Sequence, residues 1–498
     1  VNFTRLLHAW ARREPEREAV VAGGRSVSFG ELWRRIAGAA ACYRQRGIAP
    51  GEAVAVVVPN GADFLAFHFG ALAAGIVSVP IKPEYRALEV ARIAAACRPR
   101  LLVAGRRWLA ENETLLAAMP GGGPPPIVAA EDLGDLSAAG AADPPLAVPG
   151  AAPASLNATY CGGGVPRAAV LTHANHLYAA TGYARHQRFR HDERFLVILP
   201  MAHVYALSGC VNSGLIRGGA LVVIDRSTPR AILGAVEEHR ITVLSAVPAV
   251  YEMLARFPGK ERYDLSSLRL CVSGGAFLPE AAQREFEAAL GWPIVQGYGL
   301  TECLPVICNP PGAGNRPGTL GVPGRRDIAV RILGRRGEPL PAGEIGEIAV
   351  RSPTVMRGYH GWPEGTARAL PDGWLRTGDL GWLDAAGYLR FHGLAKPIVN
   401  LHGNKVDPLE VAAALESHPA VAAAEVWAAP AEDGARALGA CELRAAVEPA
   451  AGREVQGPEL QRFLRERLAG YKVPSRIEVR NAAAAVAGAE VVPAGAAP

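Results

Sequence analysis

Apolar residues in this chain fall into short β-branched runs separated by longer mixed stretches, the rhythm of alternating strands and helices. Ala53–Val58 is one such run, closed by Pro59-Asn60-Gly61. A helical stretch from Ala62 to Gly75 then leads into a second apolar run at Val77–Ile81. Neither run alternates with polar residues, so the spacing predicts a β-α-β unit in a parallel sheet covered on both faces. The pattern returns at Leu221–Ile224. Thr228-Pro229 offers an N-cap followed by proline at the first helical position, a helix is expected to about His239, and a strand at Ile241–Leu244. The expected fold class is α/β.

The rhythm breaks twice. From Pro120 to Pro153 the chain is rich in Gly, Pro and Ala, which reads as a surface connection outside the core. After Gly387 the elements become shorter: strands at Tyr388–His392 and Ile398–Leu401, a helix at Asp407–Ser417, a strand near Ala422–Ala428 and a helix at Pro458–Leu468. A domain boundary is placed near Lys396, giving a large unit over residues 1–395 and a small one over 396–480. Residues 481–498 carry Glu490 as their only charge and are expected to be a poorly ordered tail.

Length and composition narrow the functional classes. A chain of 498 residues that is 50% hydrophobic and 20% charged excludes a mostly disordered protein and calls for at least two packed units. The net charge of +5 is too thin for a nucleic-acid or acidic-membrane partner. Among the 52 basic residues only five are lysines: Lys82, Lys260, Lys396, Lys405 and Lys472. The eight cysteines show no paired ligand spacing, which suits a reduced, cytoplasmic protein. Phe64–Ile81, the longest apolar stretch, is interrupted by His68, Gly70, Gly75 and Pro80, so no transmembrane segment is expected.

Four segments suggest chemistry. In Gln296-Gly297-Tyr298-Gly299-Leu300-Thr301-Glu302, glycines flank an aromatic ring that could stack on a planar ligand, and a hydroxyl and a carboxylate follow. Trp374–Leu380 places Asp379 after a Thr-Gly turn, suited to ribose hydroxyls. Leu199–Tyr205 presents His203 just past a strand end, where ligands of α/β sheets bind. Cys271–Ala276 is a strand ending in Gly274-Gly275-Ala276. Each alone is explained equally well by a structural turn or a core histidine.

In this order and spacing the segments resemble the adenylate-forming superfamily, the AMP-forming acyl-CoA synthetases, aryl-CoA ligases and peptide-synthetase adenylation domains. Gly343–Glu347, Val355–Tyr359, Gly403–Val411 and Tyr471–Pro474 extend the likeness over nearly the whole chain. The resemblance implies layered α/β sheets with a β-barrel-like subdomain in the large domain, and a small α+β C-terminal lid that rotates between half-reactions. It implies ATP, Mg²⁺ and CoA (or phosphopantetheine) as cofactors and cosubstrates. A carboxylic acid would be the substrate, with CoA or an acyl carrier protein as acceptor. Tyr298 would stack on adenine beside Gly274, Gly275 and Ala276, with Gly297 and Gly299 flanking it. Thr301 and Glu302 would serve phosphate and metal, Asp379 ribose, and His203 the carboxylate pocket. Lys396 would fall at the hinge and Gly403 at the pantetheine channel.

Departures from the family pattern concentrate on phosphate handling. The phosphate loop, Thr-Ser-Gly-Thr-Thr-Gly-x-Pro-Lys-Gly in the family, is here Thr159-Tyr160-Cys161-Gly162-Gly163-Gly164-Val165-Pro166-Arg167-Ala168. Glycine N–H groups can still cradle an anion, and Arg167 keeps the lysine's charge, but the central hydroxyls are gone. The hinge arginine is replaced in Gly393-Leu394-Ala395-Lys396. The tail lysine's stretch reads Ala484–Glu490, with no lysine or arginine after Arg480. One missing preorganised cation costs about 10²–10³ in rate. The leading expectation is an AMP-forming acid–thiol ligase for a fatty or aryl acid, with adenylation impaired. Two alternatives stay open: a degenerate binder of AMP, acyl-adenylate or acyl-CoA, and an enzyme of the thioester-forming half-reaction alone.

Overall fold

The computed structural model describes residues 1–117, 125–139, 143–161, 163–395, 398–401, 404–430 and 441–480. The β-α-β unit is present as strand Ala53–Val57, helix Ala62–Ala73 and strand Val77–Pro80, and the two strands run parallel, Ala53 opposite Val77. The helix survives its interruptions for identifiable reasons. His68 is fully buried but its Nδ1 shares a hydrogen bond with Ser78 Oγ at 2.8 Å. At Gly70 a Cβ would lie 2.7 Å from Ala39 Cβ, so glycine is what lets helix Phe29–Gln45 cross so closely.

These strands belong to a six-stranded sheet ordered Ile127–Ala129, Leu101–Ala104, Ala53–Val57, Val77–Pro80, Pro153–Tyr160, Pro166–Thr172. It is parallel apart from the final hairpin. A nine-stranded sheet packs in the neighbouring layer. Its parallel centre contains Ile294–Leu300, Leu270–Ser273, Val243–Ala246, Arg194–Val197, Ala220–Val223 and Glu18–Ala22. The helix after Ala220–Val223 starts as its sequence predicts, with Thr228 Oγ1 accepting from Ala231 N at 3.3 Å and Pro229 at the first position.

A four-stranded antiparallel sheet, Ala329–Leu333, Gly346–Arg351, Leu375–Leu383 and Leu389–Leu394, forms the β-rich subdomain. The Pro/Gly/Ala-rich stretch is more ordered than its composition suggests. Ile127–Ala129 completes an edge of the six-stranded sheet, and the carbonyl of buried Leu136 sits where a Cβ on Gly38 would be. The apolar Ile-Val-Ala triplet found a free parallel edge, which composition alone does not reveal.

The C-terminal portion has its own apolar core, drawn from residues between Val399 and Val479. A hairpin, Val399–Leu401 with Asn404–Val406, precedes helix Pro408–Glu416, whose N-cap Asp407 accepts from Leu409 N at 3.0 Å. A three-stranded sheet, Val421–Pro430, Cys441–Pro449 and Arg476–Val479, and helix Gly457–Arg467 complete it. This is the lid. Among the described residues no helix is long and apolar enough to cross a membrane.

Candidate active site

Strands Arg194–Val197, Leu270–Ser273 and Ile294–Leu300 run parallel and end side by side, and their C-terminal loops converge on one cavity. His203, Tyr205, Gly274, Tyr298 and Thr301 line it, with Thr159 contributed by the other sheet. The glycines have reasons within the protein itself. A Cβ at Gly274 would lie 2.8 Å from the Tyr205 ring, whose hydroxyl donates to Val272 O at 3.1 Å. Gly275 follows with φ +77°, in the left-handed region. Gly297 and Gly299 face Cys308 Sγ and Pro305 Cα, each 2.9 Å from a hypothetical Cβ. Ala276 accepts a hydrogen bond through its carbonyl from Gln296 Nε2 at 3.2 Å. Two buried polar atoms at these turns, Ser273 Oγ and Gln296 Oε1, have no hydrogen-bond partner among the described residues.

The segments around Tyr298 and Asp379, far apart in sequence, meet here. Tyr298 OH donates to Asp379 Oδ2 at 2.6 Å, and Asp379 N donates to Thr377 Oγ1 at 3.1 Å. Burial and the Asp379 carboxylate push the Tyr298 phenol well above its ordinary pKa, so it stays protonated and donating. His203 is neutral: burial, then the charges of Lys82 and Lys405, lower its pKa to about 3. Its Nδ1 accepts from Tyr205 N at 3.3 Å. The chain then enters a buried π-helical segment, Ala206–Asn212, an irregularity common beside functional sites.

Glu302 sits at the rim. Its Oε1 accepts from Tyr359 OH at 2.9 Å, and Cys161 Sγ lies 3.7 Å away. Arg167 is on strand Pro166–Thr172 opposite Thr159, with its guanidinium carbon 4.1 Å from the Trp362 ring centroid. The structure therefore brings Thr159, His203, Gly274, Gly275, Gly297, Tyr298, Gly299 and Thr301 around one space. It holds Asp379 through Tyr298, and it places Arg167 on an aromatic face. Gly162, Lys396 and Gly403 lie outside the described residues.

The lid closes directly on the phosphate loop. Gly163 N and Gly164 N both donate to Asp407 Oδ2, at 3.0 and 2.8 Å. Tyr160 OH donates to Glu410 in the same lid helix. Fully buried Lys472 bonds Glu410 Oε2 at 2.7 Å and lies 2.6 Å from Glu89 Oε1 of the large domain. Lys82 Nζ donates to Asn404 Oδ1 at 2.9 Å, and Asn400 Nδ2 donates to Gly275 O at 3.0 Å. Sequence reasoning missed Lys82, Asp407 and Glu410 as functional positions. The scarcity of lysine was the one signal that pointed at Lys82, and Tyr160 in place of a small hydroxyl residue was the signal for a new contact.

A cavity at the strand ends, lined by an aromatic ring bonded to a carboxylate and bordered by a glycine-rich loop, lies where α/β proteins bind their ligands. The chain belongs to the AMP-binding enzyme family, whose profile matches residues 7–360. A feruloyl-CoA synthase from an Amycolatopsis species is 35% identical over 471 residues, 94% of this chain and 93% of that protein. The fatty acid–[acyl-carrier-protein] ligase ScoC of Streptomyces coeruleorubidus is 31% identical over 94% of this chain and 90% of its own length. Among solved structures, the amide bond synthetase McbA of Marinactinospora thermotolerans superposes with a TM-score of 0.85 at 28% identity, covering 96% of both chains.

Proposed function

We propose that this chain is an ATP-dependent, AMP-forming ligase that activates a carboxylic acid, fatty or aryl, and passes the acyl group to the thiol of CoA or of a carrier-protein phosphopantetheine. The observation that carries this reading is the shared cavity, where His203 and Thr301 lie beside Tyr298, itself bonded to Asp379. In the first step a carboxylate oxygen attacks the α-phosphorus and pyrophosphate leaves. In the second, the thiol sulfur attacks the acyl carbonyl, its proton is lost, and AMP departs. Tyr298 offers a ring face to adenine, and Asp379 offers carboxylate oxygens to the ribose hydroxyls. Neutral His203 lines the acyl side without competing for a proton.

Mg²⁺ would neutralise phosphate charge. It commonly takes only one or two protein carboxylates beside substrate phosphates. Glu302, oriented by Tyr359, fits that need, and among the described residues no group of three or more metal-ligating side chains competes with it. We take residues 1–395 as the body, 396–480 as the lid, with Lys396 at the hinge and Gly403 by the thiol channel, and a cytoplasmic location.

A second reading is favoured by one contact. With Asp407 on Gly163 and Gly164, the loop that would hold the β- and γ-phosphates already carries a carboxylate. The docked form then suits the thioester-forming half-reaction. Product analysis separates the two. Incubation with ATP, Mg²⁺, CoA and a panel of fatty and aryl acids should give acyl-CoA and AMP. Conversion of supplied acyl-adenylate alone would leave only the half-reaction, and conversion of neither would leave a binding protein.

A further inference from the structure

Two lysines lie where the lid meets the body, Lys472 fully buried and Lys82 half-buried, and the fold treats them oppositely. Lys472 is neutralised by Glu89 and Glu410. Lys82, in the turn after strand Val77–Pro80, has Asn404 Oδ1 as its one hydrogen-bond partner and no carboxylate within 4 Å among the described residues. The rings of Tyr85 and Tyr471 lie 5.7 and 5.6 Å from its Nζ, at the outer edge of cation–π range, and supply no formal negative charge. An ammonium carries three donors, and a buried charge without a partner is costly. Burial accordingly lowers its pKa to about 8.

The unused donors border the active-site cavity. Lys82 and the lid's Lys405 line it together with His203, and no aspartate or glutamate is among its lining residues. Both lysines are near enough to His203 to disfavour its protonation. Two lysine side chains beside a neutral imidazole favour an anion at this end of the cavity. In a chain whose basic residues are almost all arginine, a compact ammonium has been kept at this point.

We propose that Lys82, assisted by Lys405, forms an anion-binding subsite beside His203 that holds the carboxylate of the acid substrate. The proposal rests on the ligase reading and supplies it with a cation that residues 481–498, which hold no lysine or arginine, do not. Asn404 fixes the Lys82 ammonium by one hydrogen bond and leaves the others for the anion. Asn404 and Lys405 belong to the lid and join the subsite in the docked form, whereas Lys82 belongs to the body and stays at the cavity when the lid withdraws.

The test compares octanoate with octanamide and cinnamate with cinnamamide, each pair equal in shape but different in charge, by calorimetric titration. Lys82→Met retains the methylene packing and removes the charge, and Lys82→Arg restores it. The wild type should prefer at least one acid over its amide by about 30-fold, the scale of a buried charge-assisted pair. Lys82→Met should abolish that preference with AMP affinity unchanged, and Lys82→Arg should recover part of it. Equal binding of acid and amide by the wild type, no saturable binding of either acid, or an undiminished preference in Lys82→Met would each overturn the subsite. Pyrophosphate exchange is scored separately: a wild type that exchanges, with an acid KM unchanged in Lys82→Met, sinks the subsite and leaves the ligase standing.

Discussion

The Asp407 carboxylate of the lid accepts a 2.8 Å hydrogen bond from the backbone N–H of Gly164 in the phosphate loop. Gly164 has φ +72° and Gly163 φ +131°, so both residues use backbone regions that favour glycine, and both N–H groups point at one oxygen. This is the geometry of an anion nest with a protein carboxylate as the anion. On the proposed ligase reading, lid docking and ATP phosphates compete for the same donors. Asp407→Asn is the appropriate variant, because its amide oxygen can still cap helix Pro408–Glu416 through Leu409 N. Loss of the charged acceptor should lower the KM for ATP by about 10-fold, the scale of one charge-assisted hydrogen bond. An unchanged KM would refute the competition.

Lys472 holds body and lid together. Burial opposes its charge, but Glu89, Tyr85 and Glu410 raise its pKa above the ordinary lysine value, so it remains an ammonium. Removing it leaves two carboxylates, both fully buried, facing each other. Lys472→Met should destabilise the protein by about 3–5 kcal/mol, read as a lower midpoint in denaturant titration. Adding Glu89→Gln and Glu410→Gln to that variant should recover most of the loss, which simple packing damage would not permit.

Tyr298 and Asp379 should act as a pair on the nucleotide. Asp379→Ala removes an acceptor for ribose and leaves the phenol without its partner. AMP affinity should fall about 10- to 100-fold, the range for lost hydrogen bonds to a charged group, whereas Tyr298→Phe, which keeps the ring, should cost less than Asp379→Ala. Fluorescence titration with AMP would measure both. Equal losses would mean that Asp379 acts on the nucleotide only through its bond to the Tyr298 hydroxyl.

The cavity was legible where chemistry lies in a local motif. Glycine turns and a strand end mark Tyr298, Thr301 and His203 as candidates within a few residues, His203 with the help of the resemblance, and the three line one cavity. Asp379 was marked by its Thr-Gly turn, but its bond to Tyr298 spans 81 residues and no local motif announces it. The lid contacts were not legible at all. Gly164 and Asp407 are 243 positions apart, and Tyr160 and Glu410 are 250 apart, so no periodicity or motif links them. Tyr160, read as a damaged phosphate-loop position, instead reaches a lid carboxylate. Arg167 kept the expected charge in sequence, but an arginine next to a tryptophan in space settles on the ring face. Arg167→Lys should therefore change the KM for ATP by less than 3-fold, within about 0.6 kcal/mol.

The pH dependence follows from two shifted groups. His203, with a pKa of about 3, stays neutral through the physiological range and gives no inflection near 6 or 7. Lys82 is lowered to about 8 by burial first, with Glu84 and Glu89 opposing and Lys472 reinforcing the shift. His203, Lys405, Tyr85 and Tyr471 complete its titratable surroundings. An anion bound by the ammonium is held below that pKa and released as pH rises through it. The KM for the acid should climb about 10-fold per pH unit above this point, and Lys82→Met should flatten the profile.

A complete ligase must form an acyl-adenylate with the groups this chain has. ATP–pyrophosphate exchange by the unmodified protein, over a panel of fatty and aryl acids, measures that step without any acceptor thiol. We expect exchange that depends on at least one acid, saturates with it, and grows faster in Asp407→Asn. Absence of exchange with every acid, in a protein that binds AMP, would contradict the ligase.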